Sequence, residues 1–363
     1  MNSTESEAES TKPRHRHWVK GVPRRQKSDR RIPGLDGLRA ISILAVIAFH
    51  VTYNANVFPG GEQGVTVFFV ISGFLITYLL CEEEKRTQTV SLSGFYYRRA
   101  FRILPPALLY LVATASFSTK ADFWHSVLFV RNFFTNSSVN SHFWSLSVEE
   151  QFYFVWPALF ILLGTNRRRL TFTLSFFVVA EVCIRLAAHS VGNQDISLLV
   201  HPPTVATVTL IVLNGQVPIV VGCCLALLRN EGFARSDLVT RPVVTYGCIV
   251  GAIALIAINR SGWLIPVFVA ATINSAACGK LPFLEWRPLA WIGQLSYSLY
   301  LWQQVFCFRS PLPRLGWFPL NVALSFAAAA LSFYFVEKPA LRLRDRLKRR
   351  FSTADLRQSP AVT

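Results

Sequence analysis

The sequence predicts an all-α, polytopic membrane protein with about ten transmembrane helices and both termini cytoplasmic. Three observations predict it. Of 363 residues, 52% are apolar and only 16% charged, where soluble globular domains carry about a quarter charged. The apolar residues gather in runs close to the roughly 20 residues that cross a bilayer core. The charge is lopsided, 37 Lys and Arg against 20 Asp and Glu for a net +17, and the basic residues alternate between successive loops. This composition argues against a cytosolic enzyme. The seven cysteines (Cys81, Cys183, Cys223, Cys224, Cys248, Cys278 and Cys307) are odd in number and include no CxxC. They therefore point to neither a disulfide framework nor a zinc site and read as small core hydrophobes.

Residues 1–34 form a polar tail with nine Lys and Arg. Without an apolar core it is not a cleavable signal peptide; it reads as a disordered basic cytoplasmic tail held near anionic lipid. Its His15 and His17 have no acidic or Cys partner nearby and read as solvated. Apolar segments follow at about 38–54, 63–81, 102–117, 143–164, 169–189, 205–229, 242–258, 262–279, 289–308 and 316–336, each compatible with a spanning helix. A further piece at 123–134 reads as re-entrant or interfacial. The membrane domain thus occupies 35–341, and 342–363 is a second basic cytoplasmic tail. With the N-terminus inside, thirty Lys and Arg fall on the cytoplasmic side and five on the other, a strong positive-inside bias. Spread over every second loop, these residues make no nucleic-acid surface; their partner is membrane lipid.

The ionisable residues left within the spans are the informative ones, because charge inside a bilayer is costly and is by default paired or functional. In LDGLRAISILAVIAFH (35–50), Arg39 and His50 lie eleven residues apart, three helical turns, and so share one face about 16 Å apart along the axis. In SHFWSLSVEEQFYFVWP (141–157), Glu149 and Glu150 enter the membrane to a depth near that of His50. A carboxylate meeting an imidazole makes a general-base pair, and since neighbours on a helix point about 100° apart, one of the two suffices. In FYYRRAFRILPP (95–106), Arg98, Arg99 and Arg102 gather guanidinium groups at a helix end, a geometry suited to phosphate oxygens. In LAWIGQLSYSLYLWQQ (289–304), Ser296, Tyr300 and Gln303 or Gln304 form a polar stripe that either lines a tunnel or holds helices together. Glu181 and Arg185, four apart on one span, satisfy each other.

At these residues the chain resembles the membrane-bound acyltransferase 3 family. Besides the four strings above, the resemblance is carried by GVTVFFVISGFLIT (64–77) and FYFVEKP (333–339), and it covers most of 35–340 in the family's order. It implies a ten-helix integral membrane O-acyltransferase of the bacterial inner membrane that moves an acyl group, commonly acetyl, from cytoplasmic acyl-CoA to a hydroxyl of an envelope or extracellular glycan. The family's Arg–ten-residues–His signature falls on Arg39 and His50, its RxxR on Arg99 and Arg102, its acidic position on Glu149–Glu150, and its terminal motif on Glu337, Lys338 and Pro339. Where many relatives carry Asp and His, this chain has Thr66 and Gln303. The chain reads as a stand-alone form without an appended SGNH-type esterase domain.

The expected mechanism is a tunnel. Arg98, Arg99 and Arg102, with Arg39, hold the CoA phosphates at its inner mouth. His50, oriented by Glu149 or Glu150, deprotonates the acceptor, and Ser72, Tyr300, Gln303 or an amide near Gly73 stabilises the oxyanion. A covalent acyl-His intermediate is the variant. Glu337 is expected to pair with a basic residue near the mouth, and no metal is required. The rival readings are an exporter or flippase of a glycan or small metabolite whose polar spans form a transport path, and an acyltransferase acting on a lipid or macrolide.

Overall fold

The computed structural model describes residues 32, 34–52, 60–61, 63–134, 138–191, 205–235, 240–257, 264–308 and 317–358. Their helices are α1 (Leu35–Thr52), α2 (Gln63–Thr87), α3 (Leu92–Ala113), α4 (Lys120–Val127), α5 (Phe143–Leu163), α6 (Asn166–Val191), α7 (Val205–Asn230), α8 (Pro242–Ala257), α9 (Leu264–Ala277), α10 (Arg287–Cys307), α11 (Leu320–Ser332) and α12 (Lys338–Gln358). No strand occurs among the described residues. Every apolar segment of the sequence falls on a helix. By length and composition, four helical runs among the described residues are able to cross a membrane: α1, α2, α5 and the continuous stretch Leu320–Lys348. The apolar helices Gly215–Asn230 (the described core of α7), α8 and α9 are shorter.

Three boundaries differ from the hydropathy reading, each for a physical reason. The third apolar segment starts at 102, but α3 starts ten residues earlier, where the Ser91 hydroxyl caps the Gly94 amide. Arg98, Arg99 and Arg102 therefore ride on the first half of the helix, where they interrupt the hydropathy without interrupting the backbone. The piece at 123–134 resolves into α4, eight residues long, and a 3₁₀ turn at Arg131–Phe133; at 1.5 Å per residue neither spans anything. The C-terminal region expected as a tail from 342 is helical as far as Gln358. The tail at 1–31 lies outside the described residues.

Two glycine crossings fix the bundle. A Cβ on Gly73 of α2 would overlap the Ile219 carbonyl of α7, and one on Gly222 of α7 would overlap the Val70 carbonyl of α2. Likewise, a Cβ on Gly293 of α10 would overlap the Asp36 carbonyl of α1, and one on Gly37 would meet the Leu284 backbone just before α10. Backbones that approach this closely gain the dispersion contacts that drive helix association where no water remains to be expelled. The pairs also set direction. Arg39 meets Ser296 and His50 meets Gln303, so α1 and α10 run parallel. Ser72 meets Glu149 and Thr77 meets Trp156, so α2 and α5 run parallel. Ser298 meets Glu337 and Cys307 meets Ser325, so α10 and α11 run antiparallel. Between α11 and α12 the helix widens into a π turn, Phe333–Glu337, which turns Glu337 inward to 2% exposure. All seven cysteines are free thiols, with Cys81, Cys223 and Cys224 buried.

The crossings carry a prediction. Gly73→Ala should force α2 from α7 and cost about 1–3 kcal/mol, read as a lower Tm of the detergent-solubilised full chain. Gly247→Ala is the control: its Cβ meets nothing within 4 Å on the exposed side of α8, so it should leave Tm unchanged or raise it, since Gly inside a helix is unfavourable by roughly 0.5–1 kcal/mol. Equal Tm values for the two variants would contradict the close crossing.

Candidate active site

The polar groups of the bundle divide into two connected clusters along α1 and α10. Around His50, the last turn of α1 meets the last turns of α10. His50 Nδ1 lies 2.6 Å from Gln303 Oε1, and the ring packs against Phe308 at 4.6 Å between centroids. The Gln303 amide nitrogen faces the Tyr300 carbonyl at 3.4 Å, which assigns the amide oxygen to the imidazole. An amide oxygen only accepts, so Nδ1 carries the proton and the Nε2 lone pair is the basic site. Gln303 is wholly buried. One turn before it, the Tyr300 hydroxyl lies 2.5 Å from Ser145 Oγ and donates to the His142 carbonyl at 3.1 Å. Gln304 donates to the Ser141 hydroxyl at 2.9 Å.

Around Arg39, α1, α3, α5, α10 and the π turn converge. Arg39 donates to the Ser296 hydroxyl at 3.2 Å. The Arg99 guanidinium lies 3.4 Å from Glu150, 4.0 Å from Glu149, and 3.5 Å above the Tyr153 ring. Glu149 also accepts the Ser72 hydroxyl at 2.5 Å. Arg102 has Arg39, Glu337 and Arg99 as charged neighbours, while Glu337 accepts the Ser298 hydroxyl at 3.1 Å. Isolated charges buried this deeply would each cost several kcal/mol; three guanidiniums among three carboxylates offset one another.

This arrangement redraws the expected roles. His50 and the two glutamates do not meet: among the described residues no hydrogen bond or ion pair joins them, and the orienting partner of His50 is Gln303. The geometric reason is that α10, parallel to α1, supplies the nearest polar face, whereas Glu149 and Glu150 turn toward Arg99 of α3. The four arginines also separate. Arg98 is held at 2.7 Å by Glu83 at the exposed turn between α2 and α3, and Arg99 is held by the glutamates. Among the described residues, no carboxylate comes within 4.0 Å of Arg39 or Arg102. The three oxyanion candidates, Ser72, Tyr300 and Gln303, each direct their donors to a protein acceptor, and Gly73 lies mid-helix with its amide in the α2 ladder. Glu337, as expected, faces basic residues, Arg102 and Arg39. The Arg185 side chain lies outside the described residues.

Several members of the site carry no mark in the sequence. Ser145 sits five residues before Glu150, and Tyr153 one turn after Glu149; both read as ordinary parts of an aromatic helix. Ser298 lies outside the 296–300–303 stripe. The positions i+4 from each glutamate were the available signal for Tyr153. Nothing local marks Ser298, because its partner comes from a turn 39 residues away.

Comparison with known proteins finds relatives by sequence. The acyltransferase 3 family model, described as an acyltransferase domain, matches residues 32–337. Among curated proteins, YrhL of Bacillus subtilis is 29% identical over 361 residues, covering 85% of this chain and 55% of that protein. The peptidoglycan O-acetyltransferase OatA of Listeria monocytogenes is 29% identical over 358 residues, covering 85% of this chain and 55% of its own. The O-acetyltransferase OatA of Staphylococcus aureus is 28% identical over 358 residues, covering 86% and 57%. The chain thus spans about half the length of the curated relatives it matches. No solved structure matches. With its matched region running from before α1 to the π turn that carries Glu337, the chain belongs to the acyltransferase 3 family.

Proposed function

We propose that this protein is an integral membrane O-acyltransferase that moves an acetyl group from acyl-CoA on the cytoplasmic side to a hydroxyl of a cell-wall glycan. The observation that carries the reading is the His50–Gln303 pair at one end of α1 with the anion-ready Arg39 and Arg102 at the other. The names of the relatives, peptidoglycan O-acetyltransferases among them, support a glycan acceptor. The ten-span topology with both termini cytoplasmic is part of the proposal. It is supported by helix direction: with α4 left out of the count, α1 and α10 become the first and ninth spans, and odd spans should run parallel, as these do.

In this scheme Arg39 and Arg102 take the CoA phosphates, and the pantetheine arm, about 15–20 Å when extended, reaches along the three turns of α1 to His50. The Gln303 amide holds Nδ1–H, so Nε2 faces the reaction. As the acceptor oxygen attacks the thioester carbonyl, Nε2 takes its proton; as the tetrahedral intermediate collapses, the C–S bond breaks and the CoA thiolate recovers that proton. Arg99, Glu149, Glu150, Ser72 and Tyr153 do not enter the transfer; they keep the interior guanidiniums neutralised and in place.

Two measurements test the scheme, both with purified protein and labelled acetyl-CoA. His50→Ala should lower transfer by about 10²–10⁴-fold, the usual contribution of a general base; retained transfer removes His50 from the role. Arg102→Ala should raise the donor KM about tenfold or more while leaving the acceptor KM near wild type. Arg98→Ala, at an exposed pair, should leave both unchanged. Donor KM values that rank the other way would place the phosphates outside this clamp. An exporter, by contrast, would move unmodified solute and consume no acetyl-CoA.

A further inference from the structure

Of the motif Glu337, Lys338 and Pro339, the site above uses only the first residue. Glu337 turns inward toward Arg102 and Arg39, whereas Lys338 opens the basic helix α12. One helical run, Leu320–Lys348, carries the chain from α11 through the π turn into α12, and its outer surface changes character in order. Leu331 and Phe335 are exposed apolar side chains, Phe335 at 74%. Tyr334, 44% exposed, accompanies them. Arg342 and Arg346 follow, both exposed and, four residues apart, on one face. Phe335 and Arg342 are separated by seven residues, about 10 Å along a helix axis. The headgroup layer beside a hydrocarbon core is roughly 5–8 Å deep. A surface that meets acyl chains at Phe335 therefore meets phosphates near Arg342.

Three donors gather at this level. Lys338 Nζ lies 5.1 Å from the centroid of the Tyr334 ring, a cation–π contact that keeps the ammonium beside the phenol. The Tyr334 oxygen accepts the Trp291 indole N–H at 3.1 Å, and its own proton has no acceptor among the described residues. Arg342, one turn beyond Lys338 on the same side of α12, is exposed. Among the described residues no carboxylate lies within 4.0 Å of Lys338 or Arg342, whereas Arg344, on the opposite side of the helix, is paired with Asp345 at 2.8 Å. Ammonium, guanidinium and phenol hydroxyl all donate to an anionic oxygen, and Trp and Tyr favour the membrane boundary. We propose that Lys338, Arg342 and Tyr334 bind the phosphate of an anionic phospholipid in the leaflet at this end of the bundle. The 21 residues of α12 carry eight Lys and Arg against two Asp, a charge that favours anionic over zwitterionic lipid. The inference goes beyond the acyl-transfer reading: it needs this end of the bundle at a membrane surface and requires no turnover.

The test titrates the full-length detergent-solubilised protein with dioleoyl phosphatidylglycerol and, separately, with dioleoyl phosphatidylcholine, following bound lipid by native mass spectrometry. Phosphatidylglycerol should bind about fivefold tighter or more. Lys338→Gln combined with Arg342→Gln should weaken it about tenfold or more, since each cation near an anionic surface contributes about fivefold. Neither side chain is buried, so the Tm should stay near wild type. Tyr334→Phe, which keeps the ring and loses the proton, should weaken binding about threefold. Arg344→Gln removes the same charge from the opposite side and should change the affinity less than about twofold. Equal affinity of the wild type for the two lipids overturns the proposal. So does an equal loss in Arg344→Gln, because the attraction would then be diffuse charge without a site. Millimolar inorganic phosphate should leave the lipid bound; displacement would make these groups a site for a soluble anion and remove the lipid assignment. In transfer assays the double variant should keep the wild-type donor KM, and a rise like that of Arg102→Ala would assign these cations to the CoA phosphates instead. Lipid binding that depends on Lys338 and Arg342 in a wild-type protein without transfer activity would sink the acyl-transfer reading and leave this inference standing.

Discussion

Charge buried in an apolar helix bundle must be offset locally or not at all, and this constraint organises the molecule. Arg39, Arg99, Arg102, Glu149, Glu150 and Glu337 come from four separate elements, and none would be tolerable alone at that depth. Gathered together they neutralise one another, and hydroxyls of Ser72, Ser296 and Ser298 fill the remaining valences. Each helix that contributes a charge is thereby tied to the others. The glycine crossing of α1 with α10 serves the same need, since it holds Ser296 within reach of Arg39. The π turn does likewise for Glu337, since a regular helix would rotate that carboxylate by a different angle and leave Ser298 without it.

Balance is not complete, and where it fails is informative. Arg99 is bracketed by two carboxylates and Arg98 by Glu83, but Arg39 and Arg102 lack a carboxylate within ion-pair distance among the described residues. Glu337 is their carboxylate neighbour, but it lies beyond ion-pair distance of both. Elsewhere the pairing is closed: Glu84 lies against the buried Arg169, with two oxygens at 2.6 and 2.8 Å.

Much of this was legible in the sequence, and the failures have one cause. Helical periodicity fixes the direction of a side chain on its own helix, so Arg39 and His50 on one face, the stripe through Ser296, Tyr300 and Gln303, and the grouping of Arg98, Arg99 and Arg102 could all be read. Periodicity does not fix which helix lies opposite. Glu149 and Glu150 have the depth to meet His50, yet α5 presents them to α3. Gln303, read as one polar position among several, turns out to be the imidazole's partner because α10 packs along α1. Arg98, which spacing groups with Arg99 and Arg102, pairs with Glu83, and that carboxylate approaches it only through the α2–α3 turn. The start of α3 was missed because three arginines lower the hydropathy while leaving helix propensity intact.

The choice of an amide as the partner of His50 then has a consequence for how the two clusters coexist. A carboxylate there would hold the imidazole as a cation and add a further negative charge to the bundle, which would draw a guanidinium toward the His50 end. Gln303 orients the ring with no net charge, so the electrostatics stay confined to the Arg39 end. The two ends are separated by about 16 Å of α1, lined by Ile43, Val46 and Ile47. A charged cluster at one end and an uncharged imidazole–amide pair at the other are chemically opposed demands on one bundle. Spacing them by three turns of one helix, with an amide instead of an acid at the far end, lets both persist in a medium that penalises either one out of place.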